Sequence, residues 1–163
     1  MRAEALISTL NETRPILIAG ATASGKSALA LRVAKQLGGV IINADAMQVY
    51  AGWQILTARP SKREEDNITH LLYGHVKNTE SYSVGDWLRQ IRPLINENLR
   101  PIIVGGTGLY FRALTEGLAE IPNIPQLFKT RSSKLIQNGR LSDMIADLDE
   151  TTRSKIDLQN PVR

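Results

Sequence analysis

The chain contains no cysteine in 163 residues, which excludes a disulfide framework, a thiolate nucleophile and a cysteine-ligated zinc site. Histidine is nearly absent too. His70 and His75 are not spaced with other ligating side chains, so no metal site is expected on them. No apolar run approaches the roughly 20 residues of a membrane span. The opening MRAEALISTLNETRP lacks the uninterrupted apolar core of a secretory signal. A reducing, cytoplasmic setting is therefore expected. Internal repeats and low-complexity tracts are also missing. Charge of one sign does not dominate: 20 Lys+Arg against 16 Asp+Glu leave +4, which is compatible with nucleic acid and selects no partner alone. The mixed stretch Lys62-Arg63-Glu64-Glu65-Asp66 reads as a solvated loop or helix start.

What is present is ordinary for a globular protein, with 42% hydrophobic and 22% charged residues. The length suits one domain, or one domain and a piece. The strongest signal is Gly20-Ala21-Thr22-Ala23-Ser24-Gly25-Lys26-Ser27, directly after the apolar run Pro15-Ile16-Leu17-Ile18-Ala19. It matches G-x-x-x-x-G-K-[ST] between a strand and a helix, the context that makes this pattern a phosphate site. Backbone N–H groups of the loop curl around a phosphate, and the helix start adds partial positive charge. Lys26 reaches the terminal phosphates, and the Ser27 hydroxyl completes a Mg²⁺ shell.

The spacing predicts a helix from Gly25 to Leu37, ended by Gly38-Gly39, and a second strand at Val40-Ile41-Ile42. That βαβ unit favours a parallel sheet. A short strand is expected at His70 to Val76, and a helix from Ser83 to Asn98 with Ser83 as N-cap, Asp86 in its first turn and Pro93 kinking or splitting it. Pro101-Ile102-Ile103-Val104 is a third strand, followed by Gly105-Gly106-Thr107-Gly108 and a helix from Leu109 to Gly117. Ile121-Pro122-Asn123-Ile124-Pro125 reads as a linker. Gln126 to Asp157 reads as two helical segments broken near Asn138-Gly139. The expected organisation is an α/β core of P-loop NTPase type, with a parallel sheet flanked by helices, over residues 1–121. The start of a helical insertion follows over 122–163.

Two further clusters fall at strand ends, where open α/β sheets bind ligands. In Asn43-Ala44-Asp45-Ala46-Met47-Gln48-Val49-Tyr50, Asp45 is a general base, an outer magnesium ligand or a turn aspartate capping its own backbone. In Gly105-Gly106-Thr107-Gly108-Leu109-Tyr110, Thr107 bonds a phosphate, or the glycines serve backbone angles alone. Tyr50 and Trp53 stack on a base or pack at a rim. Arg59 meets a phosphate or solvent. Trp87 is expected in the core.

Taken together, GATASGKS, DAMQVY, the TARPS of residues 57–61 and GGTGLYFRAL resemble the tRNA dimethylallyltransferase (tRNA isopentenyltransferase) family from about Pro15 to Arg163. The resemblance implies transfer of a dimethylallyl group from dimethylallyl diphosphate to the exocyclic N6 amine of the adenine just 3′ of the anticodon. The partner it implies is a tRNA anticodon stem-loop, met by Asp45, Ala46, Met47 and Gln48. Residues 20–27 would hold the donor diphosphate rather than ATP. Asp45 would be the base, Thr107 would sit near the donor oxygen, and a monomer would be the working form. The family motif usually has serine where this chain has Ala46. Arg163 matches the arginine of the family's D-P-Q-R segment, beyond which members continue with more tRNA-binding surface. At this length, weak donor binding and poor turnover are expected. Other readings of the residues are an adenylate isopentenyltransferase, a P-loop small-molecule kinase and a catalytically incomplete remnant.

Overall fold

A computed structural model describes residues 7–10, 14–61, 63, 68–96, 100–119 and 124–158. The lead-in before Ile7, the KREED stretch apart from Arg63, the linker residues Ile121 to Asn123, and Gln159 to Arg163 lie outside the described residues. The chain divides into two compact units, Met1–Leu118 and Ala119–Arg163.

In the first unit four strands form one sheet: β1 (Ile16–Ala19), β2 (Val40–Asn43), β3 (His70–Leu71) and β4 (Pro101–Gly105). Their order is β1-β4-β2-β3 and every pairing is parallel. Ile18 sits opposite Val104, and Ile42 opposite Ile103. Parallel neighbours require crossover connections. Helix α1 (Lys26–Leu37) links β1 to β2, α2 (Val84–Asn96) leads into β4, and α3 (Gly108–Glu116) follows it. The central strands β2 and β4 are buried along their whole length, as near-continuous Val/Ile runs in a two-sided parallel sheet should be.

Side-chain alternation divides the core into two layers. Ile41, Ile102 and Val104 cluster with Ala30, Val33 and Ala34 of α1. Val40, Ile42 and Ile103 cluster with Trp87, Leu88 and Ile91 of α2 and with Tyr110 and Ala113 of α3. Helices thus cover both faces, giving the expected P-loop NTPase-like α/β architecture.

Three details differ from the sequence reading. The strand expected over His70 to Val76 shrinks to His70–Leu71. Leu72 at φ 61° and Gly74 at φ 55° turn the chain out of extended geometry, and Val76 rejoins through an isolated bridge to Tyr50. Pro93 does not split α2, because buried Trp87, Leu88 and Ile91 fasten that helix to the sheet. In the second unit the two expected helical segments are three: α4 (Gln126–Gln137), α5 (Leu141–Ala146) and α6 (Glu150–Arg153). The first break falls at Asn138-Gly139, with Gly139 at φ 69°. The second falls where the Asp149 carboxylate caps α6, accepting from Thr152 N at 2.9 Å.

Candidate functional site

Because β1, β4 and β2 are neighbours, the loops at their C-terminal ends share one edge of the sheet. The first is the phosphate-loop sequence. Ala23 at φ 61° and Gly25 at φ 84° both take the left-handed conformation, which folds the loop back on itself. For Ala23 that geometry costs roughly 1–2 kcal/mol. Gly25 is the N-cap of α1 and supplies no side-chain bond, so N–H groups of the first helical turn have no intrahelical partner. A helix start of this kind favours an anion. Lys26 curls over the loop and its Nζ donates to the Ala21 carbonyl. Ser27 is exposed on the first turn of α1.

The second loop begins at Ala44. The Asp45 Oδ1 accepts from Met47 N at 2.9 Å and from Gln48 N at 3.4 Å, so this carboxylate does cap its own turn. Its other oxygen is not shielded by Gly106, where even an added methyl carbon would lie 3.5 Å from Oδ2. The third loop meets the second through main chain. A Cβ on Gly105 would fall 2.1 Å from the Ala44 carbonyl oxygen. The ends of β4 and β2 therefore touch backbone to backbone, which requires glycine. Thr107 is the N-cap of α3 without capping it by its side chain. Its Oγ1 instead accepts from Ala46 N at 2.9 Å, leaving the hydroxyl hydrogen available to donate.

These elements surround a cavity of about 340 Å³. Thr22, Ala23, Ser24, Gly25, Lys26 and Ser27 line it together with Asp45 and Gln48. Gly20, Ala21, Ala46, Met47 and Thr107 are not on its wall, and Thr107 is tied to the second loop through the Ala46 amide and, by its own N–H, the Ala44 carbonyl at 3.3 Å. Met47 points outward, 48% exposed. Gln48 spends its side chain on the next loop, donating to the Thr57 carbonyl at 2.8 Å.

Thr57, Ala58 and Tyr73 also line the cavity. The first two lie in the TARPS segment, and no local pattern marks Tyr73. Arg59 is half-buried, and its Nη1 donates to the carbonyls of Tyr50 at 3.0 Å and Ala51 at 3.3 Å. Tyr50 and Trp53 pack on each other with ring centroids 5.6 Å apart. His70 Nδ1 lies 2.7 Å from the Ile68 carbonyl and His75 Nε2 lies 2.9 Å from Gln90 Oε1. Trp87 is fully buried and stacks on Tyr110 at 4.5 Å. Burial, then the nearby Tyr50 and Asp45, push the Tyr110 phenol up to about 12.

Among the described residues no three His, Cys, Asp or Glu side chains gather as a metal cage. Among the oxygen donors on the cavity wall are the Ser27 hydroxyl and the Asp45 carboxylate. Those hard oxygens fit Mg²⁺, which takes few protein ligands and completes its shell with phosphate and water.

Comparison with known proteins places the chain among prenyl-transferring enzymes by sequence and fold similarity. The family profile described as IPP transferase matches residues 48–163, and that described as isopentenyl transferase matches residues 14–75. A tRNA dimethylallyltransferase of Cereibacter sphaeroides (strain KD131) is 55% identical over 150 residues, covering 92% of this chain and 48% of the relative. The crystal structure of the tRNA isopentenylpyrophosphate transferase from Bacillus halodurans superposes with a TM-score of 0.64 at 30% identity, covering 93% of this chain and 52% of that one. A eukaryotic dimethylallyltransferase acting on tRNA shares the fold, with a TM-score of 0.72 at 24% identity over 93% of this chain and 39% of its own. The chain spans about half the length of the curated relatives it matches, 48% in the first case. Because the IPP transferase profile covers residues 48–163, well over half of its length, the chain belongs to the IPP transferase family.

Proposed function

We propose that this chain carries the donor-binding and proton-accepting part of a tRNA dimethylallyltransferase. The reaction moves a dimethylallyl group from dimethylallyl diphosphate to N6 of the adenine 3′-adjacent to the anticodon. The observation that carries the reading is the meeting of the phosphate loop and Asp45 on one cavity wall. The names of the relatives support the choice of donor and acceptor.

The chemistry needs two things. The diphosphate leaves with the electron pair of the breaking C1–O bond, so negative charge grows on its oxygens. Lys26, the loop amides and the helix start lie where they would stabilise that charge. Mg²⁺ held by Ser27 and the diphosphate itself would add further charge neutralisation. The adenine amine is a weak nucleophile, and as its new N6–C1 bond forms it must lose a proton. The Asp45 Oδ2 would receive it, while Oδ1 stays anchored to the Met47 and Gln48 amides. Thr107, with its acceptor role satisfied by Ala46 N, would donate to the donor oxygen. An adenine in a stem-loop must leave its stack to enter the cavity.

The test uses radiolabelled dimethylallyl diphosphate, Mg²⁺ and an adenine-containing anticodon stem-loop. Magnesium-dependent donor binding should be lost in Lys26→Ala and kept in Asp45→Asn. Transfer into RNA should be far slower than the ~1–10³ s⁻¹ of ordinary enzymes, and lower still by about 10²–10⁴-fold in Asp45→Asn. A chain that ignores the prenyl donor and binds ATP in its place would sink this reading.

A further inference from the structure

Asn43 is the one polar residue in the buried core among the described residues, with no exposed surface. It is the last residue of β2, two positions before Asp45. Every polar atom of its side chain is engaged. Oδ1 accepts from Asp45 N at 2.9 Å. Nδ2 donates to the Asp45 carbonyl at 2.9 Å and to the Leu72 carbonyl at 3.1 Å. Its own carbonyl accepts from Trp87 Nε1 at 2.7 Å.

Two features of this arrangement go beyond what burial of an amide requires. The side chain brackets a single residue, gripping both the N–H and the C=O of Asp45. That fixes the peptide planes on either side of Asp45 and leaves its carboxylate only side-chain rotation. The Met47 and Gln48 amides then restrict that rotation through Oδ1. The second feature is the reach to Leu72, which holds the strained φ of 61° in the turn after β3. Gly74 N donates from the same turn to the Gln48 carbonyl at 2.9 Å. The segment carrying Asp45 and Gln48 is thus tied at both ends to the β3 turn, and Asn43 supplies one of the ties.

We propose that Asn43 is a positioning residue: it holds the Asp45 backbone so that the carboxylate stays aimed into the phosphate-loop cavity. That this matters for proton transfer rests on the prenyl-transfer reading above; that Asn43 fixes Asp45 does not. An alanine here would leave the half-buried Asp45 N–H and the Asp45 and Leu72 carbonyls without these partners. A serine hydroxyl can still accept from an N–H two residues on but cannot span to both carbonyls.

The experiment compares wild type, Asn43→Ala, Asn43→Ser and, as a control for stability lost elsewhere in the core, Ile91→Val. Three quantities are read: residue-resolved amide exchange, magnesium-dependent dimethylallyl diphosphate binding, and single-turnover label transfer. In Asn43→Ala, exchange at Asp45, Met47 and Gln48 should rise about tenfold or more relative to Ile102 and Ile103. In Asn43→Ser the Asp45 amide should recover most of its protection. Ile91→Val should change none of these ratios. Donor affinity should stay within about twofold, while the transfer rate at saturating donor falls on the order of 10²-fold in Asn43→Ala. Unchanged exchange at Asp45 in Asn43→Ala, or an equal rise in the strands and in Ile91→Val, overturns the proposal, as does transfer at the wild-type rate despite faster exchange. If wild type binds no prenyl donor, the reading of function fails, and the exchange ratios still decide whether Asn43 positions Asp45. Should Asn43→Ala not fold, Asn43→Ser supplies the same comparison through its Leu72 and Asp45 carbonyls, with Met47 and Gln48 exchange as the readout.

Discussion

Gly105 and Gly108 are three positions apart and respond to a methyl group in opposite ways. A Cβ on Gly105 would lie 2.1 Å from the Ala44 carbonyl oxygen and 2.2 Å from its carbon. Both are backbone atoms of a fully buried strand end, so neither can swing aside. Gly105→Ala should cost about 3 kcal/mol and force apart the two loops that carry Asp45 and Thr107. Gly108 has nothing within 4 Å of the same added atom and opens α3. Gly108→Ala should be neutral or stabilising by up to ~1 kcal/mol, because it stiffens the unfolded chain. Urea denaturation of the two variants tests the pair, and equal effects would show that the β2–β4 contact is looser than described. At this scale the strand–loop–helix placement of residues 20–27 was legible, since that pattern is written in consecutive positions. The opposite behaviour of two glycines in one GGTG turn was not, because it depends on a strand far away in sequence.

At the scale of elements, α2 shows how local chemistry starts a helix. Ser83 N donates to Asp86 Oδ2 at 2.9 Å, and Asp86 N returns a bond to Ser83 Oγ at 3.2 Å. This reciprocal box satisfies donors that the first turn leaves unpaired. Ser83→Ala should lower stability by about 1 kcal/mol. The hydrogen bonds from Ser83, and after them the Arg89 charge, hold the Asp86 carboxyl below the ordinary carboxylate value. A carboxylate so depressed contributes stability that is present above its unfolded pKa of 3.8 and is lost as pH falls through the lower folded value. Wild type and Asp86→Asn should therefore differ in melting temperature near neutrality and converge in acid. A gap that persists at low pH would count against the box as its source. Ser83 and Asp86 were readable as a cap because they are three residues apart. The shortening of the third strand to His70–Leu71 was not: Leu72 leaves the extended region to meet the Asn43 amide, a partner no window of neighbouring residues contains.

Across the whole molecule, the parallel order of the Val/Ile runs could be anticipated from the βαβ spacing. The cavity wall could be anticipated only in part, since Thr57, Ala58 and Tyr73 reach it through the strand order β1-β4-β2-β3. The two compact units also differ in kind. The sheet unit has a two-layer core, whereas no described residue of the second unit is buried. Helices without buried apolar faces open at low free energy. Amides of α4 to α6 should exchange at least ~100-fold faster than those of Ile41, Ile102 and Ile103, as hydrogen–deuterium exchange would show. Comparable protection in both units would mean that the helical unit is stabilised by something other than its own core. The bond from Ala46 N to Thr107 Oγ1 has a consequence of another sort. It is made by main chain on one side, so it is blind to which side chain position 46 carries. A change of side chain at that position leaves the link between the loop carrying Asp45 and the threonine intact. Proline, which has no N–H to give, is the substitution that would sever it.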